Sequence, residues 1–162
     1  EFEKLFLKNY NSKGIKYFKL FNKSHNYKKI NNGSIFLDGE SVTIVCTGTQ
    51  LENVLKAREN LIKKKIYAEI VYFNTLKPFN SKNLIKSLRK TKRLLVVEEL
   101  SSQDGILNLC LKKLNYIENL KYSNISINKF IKGYGSYEWI AKKNGFSPTN
   151  IFNKCVRLVS EK

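Results

Sequence analysis

Six residues, Val42-Thr43-Ile44-Val45-Cys46-Thr47, form a nearly continuous apolar run that stops at Gly48. A run this short, with little polar alternation, suits a β-strand covered on both faces, as in parallel sheets. The residues beyond it change period. Leu51, Val54, Leu55, Leu61 and Ile62 fall on one face of a helix reaching about Lys64. Thr49 with Glu52 three residues on predicts a capping box at the start of that helix. A buried strand leading straight into an amphipathic helix is the opening of a βαβ unit, and it requires a second parallel strand to complete it.

That second strand is read at Ile66 to Phe73, followed by Asn80 or Ser81 as an N-cap and by Leu84, Ile85 and Leu88 as the stripe of a second helix. Arg93 to Glu99 supplies a third strand, Asp104 to Leu114 a third helix with Ile106, Leu107, Cys110 and Leu114 inward, and Ile125-Ser126-Ile127 lies in a fourth strand. Ser136 precedes a short helix, and Ser147-Pro148 is an N-cap with proline at the first helical position. The last helix should bury Ile151, Phe152, Cys155, Val156 and Val159. Strands and helices in alternation predict an α/β three-layer sandwich, with a mostly parallel sheet of about five strands and helices on both faces.

Residues 1 to about 40 have a different texture, polar and irregular. Phe2, Leu5 and Phe6 suggest the end of a helix, and Ile15 to Phe21 has the aromatic and branched content of a strand. The turn-rich stretch Lys28-Lys29-Ile30-Asn31-Asn32-Gly33 opens a linker, read over 28–40. The chain begins at Glu1 and contains no methionine, so the expectation is a piece of a longer protein.

The 162 residues carry a formal charge of +17, which raises the question of a polyanionic partner. Nearly all of the excess is lysine; arginine occurs only at positions 58, 89, 93 and 157, whereas surfaces that clamp phosphates and read bases favour its bidentate fork. Lysine keeps company with abundant Asn, Ile, Tyr and Phe, a set encoded by A/T-rich codons, so no nucleic-acid partner is expected. Cys46, Cys110 and Cys155 sit singly among apolar residues, with no metal-ligand spacing, and are read as buried thiols in a reducing cytoplasm. No apolar run approaches the roughly 20 residues that span a bilayer, and no membrane partner is expected.

Four ordered stretches resemble the C-terminal domain shared by transketolases, deoxyxylulose-phosphate synthases and beta subunits of 2-oxoacid dehydrogenases. They are Asp38-Gly39-Glu40-Ser41 leading into the Val42 strand and Gly48; the Ile66 strand followed by Asn74-Thr75-Leu76-Lys77-Pro78; Leu94-Leu95-Val96-Val97-Glu98-Glu99; and Gly133-Tyr134-Gly135-Ser136-Tyr137-Glu138 with Gly145-Phe146-Ser147-Pro148. The "Thr-Leu-Lys-Pro" and "Gly-Ser" forms are similar to the C-terminal half of split transketolases. Upstream, Gly14 to Asn22 resembles the last strand of the pyrimidine-binding catalytic domain. The division implied is residues 1–27 as a tail of that domain, 28–40 as linker, and 41–162 as the C-terminal-like domain.

The resemblance implies two-carbon ketol transfer on thiamine diphosphate with Mg, both bound outside this chain, which would itself be structural and dimer-forming. It implies a homodimer, or a heteromer with the cofactor-binding part, and a sugar substrate. The alternatives are a 2-oxoacid dehydrogenase beta-subunit domain and a divergent interaction module without catalysis. No catalytic, cofactor-binding or metal-ligating residue is assigned to this chain.

Lys19, Asn22, Lys23 and His25 are candidate substrate contacts, because the family carries arginines where Lys19 and Asn22 stand; asparagine offers a phosphate no charged fork. Read from the residues alone, Glu98-Glu99 at a strand end are helix-capping or lysine-pairing acids before they are a ligand site. Gly48-Thr49 is a tight turn with a capping threonine before it is an anion cradle. Tyr137 and Trp139 are core or interface aromatics before they are a stacking platform.

Overall fold

The run from Val42 is the central strand of a five-stranded sheet. The computed structural model describes residues 2–21, 32–101, 105–114 and 116–161. Helix α1 (Phe2–Asn9) comes first, then β1 (Ser34–Leu37), β2 (Val42–Thr47), α2 (Leu51–Lys63), β3 (Ala68–Phe73), α3 (Lys82–Thr91), β4 (Arg93–Ser101), α4 (Ile106–Leu114), β5 (Lys121–Ile127), α5 (Tyr137–Lys143) and α6 (Pro148–Ser160). The strand order is β1-β3-β2-β4-β5, with β1 antiparallel to β3 and every other pairing parallel.

Side chains alternate across each strand, and the two faces bury separate cores. Val42, Ile44 and Cys46 of β2 meet Ile70, Tyr72, Leu95 and Val97 under α2 and α6. Val45 meets Val71, Leu94 and Val96 under α3 and α4. This is the expected three-layer sandwich. Cys46, Cys110 and Cys155 are all buried free thiols, and burial pushes the pKa of each one up.

Two glycines are fixed by close approach. A Cβ at Gly39 would lie 2.4 Å from the Ala68 carbonyl carbon and the Tyr67 carbonyl oxygen. At Gly105 it would lie 2.5 Å from both carboxylate oxygens of Glu98. Polar groups are also buried in the α3 layer. The Thr43 hydroxyl stands 2.6 Å from those of Ser87 and Thr91, and Glu69, completely buried beside it on β3, pairs with Lys90.

Several expectations are corrected. Ile15 to Phe21 forms no strand; it meets no ladder partner, and β-branched and aromatic content alone does not make a strand without one. The Thr49–Glu52 capping box does not form. Residues Gly48–Gln50 make a 3₁₀ turn, Gln50 occupies the N-cap without a side-chain bond, and Glu52 instead pairs with Lys56 at 2.7 Å. Strand β1, inside the stretch read as linker, escaped the sequence reading. Strand β3 starts at Ala68 rather than Ile66, and β5 reaches back to Lys121. The caps at Ser136 and Ser147 form as expected, accepting from the amides of Trp139 and Asn150.

Candidate functional site

Strand β2 leaves through α2 toward β3 on one face, and the chain returns through α3 to β4 on β2's other side and the sheet's other face. The carboxyl ends of β2 and β4 therefore flank a topological switch point, where open α/β sheets place ligands. Residues Thr47–Gln50 and Glu98-Glu99 meet there.

The two glutamates are neighbours in sequence and point to opposite faces. Glu98 turns under α4 and accepts from the backbone amides of Ile106 and Leu107, the latter at 3.3 Å. It caps that helix, satisfying two donors that an α-helix leaves open. Burial raises the Glu98 pKa, with the two amide bonds opposing the rise.

Glu99 turns to the α2 and α5 side. Its Oε1 accepts from the Thr49 hydroxyl, from Gln50 Nε2 at 2.5 Å and from the Tyr137 hydroxyl. Gln50 Nε2 also lies 3.1 Å from Tyr137 Oη, and Asn53 Nδ2 donates to Gln50 Oε1 at 3.1 Å. Burial, and then the bond to Glu99, pushes the Tyr137 phenol up to about 12. A carboxylate accepts and cannot donate. One carboxylate thus ties the turn after β2, the end of β4 and the start of α5 into a knot, with no free base beside a nucleophile.

A cleft of about 330 Å³ opens next to the knot, walled by Thr49, Glu52, Asn53, Tyr137, Lys142 and Ser147 among others. The N-terminal segment reaches the same edge. Phe21 would lie 3.9 Å from a Cβ placed at Gly48, and Lys19 Nζ is 3.4 Å from the Glu99 carbonyl oxygen and 5.0 Å from the centre of the Phe21 ring. Among the described residues no group of three His, Cys, Asp or Glu could hold a metal ion. The residues around the knot do not fit as holders of a cofactor's metal.

The profile of the transketolase C-terminal domain matches residues 32–127, more than half of the chain. The chain belongs to the transketolase C-terminal domain family. That domain is shared by transketolases and by pyruvate dehydrogenase E1 beta subunits. Among the relatives is the mitochondrial pyruvate dehydrogenase E1 component subunit beta of Dictyostelium discoideum, 35% identical over 77 residues, which are 48% of this chain and 22% of that protein. Another is the beta subunit of the acetoin:2,6-dichlorophenolindophenol oxidoreductase of Cupriavidus necator, 38% identical over 73 residues, 45% of this chain and 22% of that protein.

In fold, the chain is similar to a split-gene transketolase described as an inactive beta4 tetramer, with a TM-score of 0.74 at 21% identity, over 82% of this chain and 44% of that one. A Pichia stipitis transketolase matches at a TM-score of 0.57 and 19% identity, over 78% of this chain and 17% of that one. These matches span about a fifth of the length of the curated relatives.

Of the four candidate substrate contacts, only Lys19 is among the described residues; Asn22, Lys23 and His25 lie outside them. Helix capping, one of the two roles expected of the acid pair, is what Glu98 does. In the sequence Thr49, Glu99 and Tyr137 stand out only one at a time, and Gln50 and Asn53 not at all. The one signal available for joining them was topological, since β2 and β4 are neighbours only if the chain reverses direction around β2. Among the described residues no helix is long and apolar enough to cross a membrane.

Proposed function

We propose that this chain is the supporting C-terminal domain of a thiamine-diphosphate-dependent enzyme of the 2-oxoacid dehydrogenase beta-subunit kind, holding subunits together while another part carries cofactor and metal. The carrying observation is the knot at the switch point. At the crevice, Glu99 is already occupied by the chain's own Thr49, Gln50 and Tyr137. The relatives at 35% and 38% identity, both beta subunits, favour this branch over the ketol transfer that the sequence motifs suggested first. The transketolase reading stays second, supported by the fold match to the split-gene protein.

Residues 1–27 fit the role of a tail from the preceding catalytic domain, and 41–162 that of the C-terminal domain, whose sheet also takes in β1 from the stretch read as linker. Helix α1 buries no residue, while Ile15 and Tyr17 are 103% and 84% exposed, as expected of a segment completed by further protein. Lys19, Asn22, Lys23 and His25 then remain the proposed substrate contacts. The buried free thiols favour a reducing compartment such as the cytoplasm.

The test isolates the chain from its native cells together with whatever subunits accompany it. Thiamine-dependent dye reduction with a 2-oxoacid is assayed beside ketol transfer from a ketose phosphate. Dye reduction without ketol transfer is expected; ketol transfer alone would overturn the branch assignment in favour of transketolase.

A further inference from the structure

Opposite the switch point, at the amino ends of β4 and β5, a pocket of about 250 Å³ is lined by Lys90, Thr91, Lys92, Arg93, Asn119 and Lys121. Four of these six residues are cationic and none is acidic. We propose that this pocket binds a small phosphoryl oxyanion, a phosphate or diphosphate group, through Lys92, Arg93, Lys121 and the Asn119 amide. The inference is independent of the proposed function, because the pocket lies at the other edge of the sheet.

The charges there are poorly compensated. Lys90 is paired with the buried Glu69. Among the described residues, no carboxylate forms an ion pair with Lys92, Arg93 or Lys121. Three cations around one small void repel one another unless an anion joins them. Arg93 and Lys121 spend part of their donors on open helix-end carbonyls, the usual duty of basic residues there, and the ammonium of Lys92 and the remaining guanidinium donors are left for an anion. The Lys92 carbonyl accepts from the Lys121 amide at 3.0 Å, and the Thr91 carbonyl from Arg93 Nη1 at 3.4 Å.

Two of the side chains are held in place. Arg93 Nε donates to the Leu158 carbonyl at 3.0 Å, anchoring the guanidinium to α6 while most of its five donors stay available. Lys121 Nζ is positioned by the Glu161 carbonyl at 2.6 Å. Lys92 caps α3 in the left-handed conformation, φ 51°, where glycine or asparagine is the unstrained choice, and Asn119 also stands at positive φ, 58°. The volume equals roughly eight waters, enough for one or two phosphoryl groups.

Titrating the 162-residue chain at low salt with inorganic phosphate and, separately, inorganic pyrophosphate tests this by calorimetry. Saturable one-site binding of at least one of them is expected. Lys92→Asn, which suits the left-handed backbone, should weaken it about tenfold or more, the factor that one charge-assisted hydrogen bond commands. Lys82→Gln, at the far end of α3 with the same loss of charge, should leave binding unchanged. Absence of saturable binding, or equal weakening by both variants, would overturn the proposal, the latter by reducing it to the field of the net charge.

Discussion

Gly105 and Glu98 are in van der Waals conflict with anything larger than hydrogen: a Cβ on Gly105 would sit 2.5 Å from both Glu98 carboxylate oxygens. The carboxylate cannot yield without releasing the Ile106 and Leu107 amides. Gly105→Ala should therefore destabilise the fold by about 2–3 kcal/mol, combining overpacking with loss of a helix cap. Equilibrium denaturation measures it, and a change under about 0.5 kcal/mol, the ordinary range for a surface substitution, would contradict the packing argument.

The same carboxyl sets a pH dependence. Its pKa is raised on folding from the usual 4.5, so the native state binds the proton more tightly than the unfolded chain. The contribution of Glu98 is full below the unfolded value and is lost as pH rises through the folded one. Stability measured upward from pH 4.5 should lose this contribution in the native protein and lack that component in Glu98→Gln. A Glu98-dependent gain across the window would reverse the sign and refute the assignment.

Tyr137 gives a spectroscopic check on the knot. Its phenol, pushed up to about 12, should be the part of the tyrosinate absorbance titration that disappears in Tyr137→Phe. The neutral phenol stabilises the fold below pH 10, and that contribution is lost as pH climbs toward 12. Removing the hydroxyl at neutral pH should cost about 1–2 kcal/mol, discounted because the residue is half-buried. A phenol titrating at the ordinary value of 10 would place it outside the knot.

The order of strands and helices was legible because buried strands and amphipathic helices write different periods into the chain. Ser136 and Ser147 were legible as caps because nothing else competes for their hydroxyls. Thr49 was not, since its hydroxyl goes to Glu99, a partner 50 residues away that local spacing cannot reveal. The segment Ile15 to Phe21 failed for the converse reason: it has strand composition and no ladder to join. Strand β1 is four residues long and lies among turn residues, too short for alternation to show.

Thr43, Ser87 and Thr91 test whether the buried hydroxyls act as a unit. Thr43→Val leaves two buried hydroxyls without their shared partner and should cost about 2–3 kcal/mol. Adding Ser87→Ala and Thr91→Val should recover part of that loss, because replacing all the partners by apolar groups removes the unpaired ones. Strictly additive losses across the three denaturation curves would show that the hydroxyls are independent.

As a supporting domain, this chain has the acid at its switch point engaged by its own side chains. Calorimetric titration of the 162-residue chain with thiamine diphosphate and Mg²⁺ tests that most directly. The predicted result is that Glu99→Gln and Tyr137→Phe leave the heat from the cofactor unchanged, any binding of its diphosphate being lost instead in Lys92→Asn. Stoichiometric, saturable binding that Glu99→Gln or Tyr137→Phe abolishes would show that the crevice is a cofactor site and contradict the central claim.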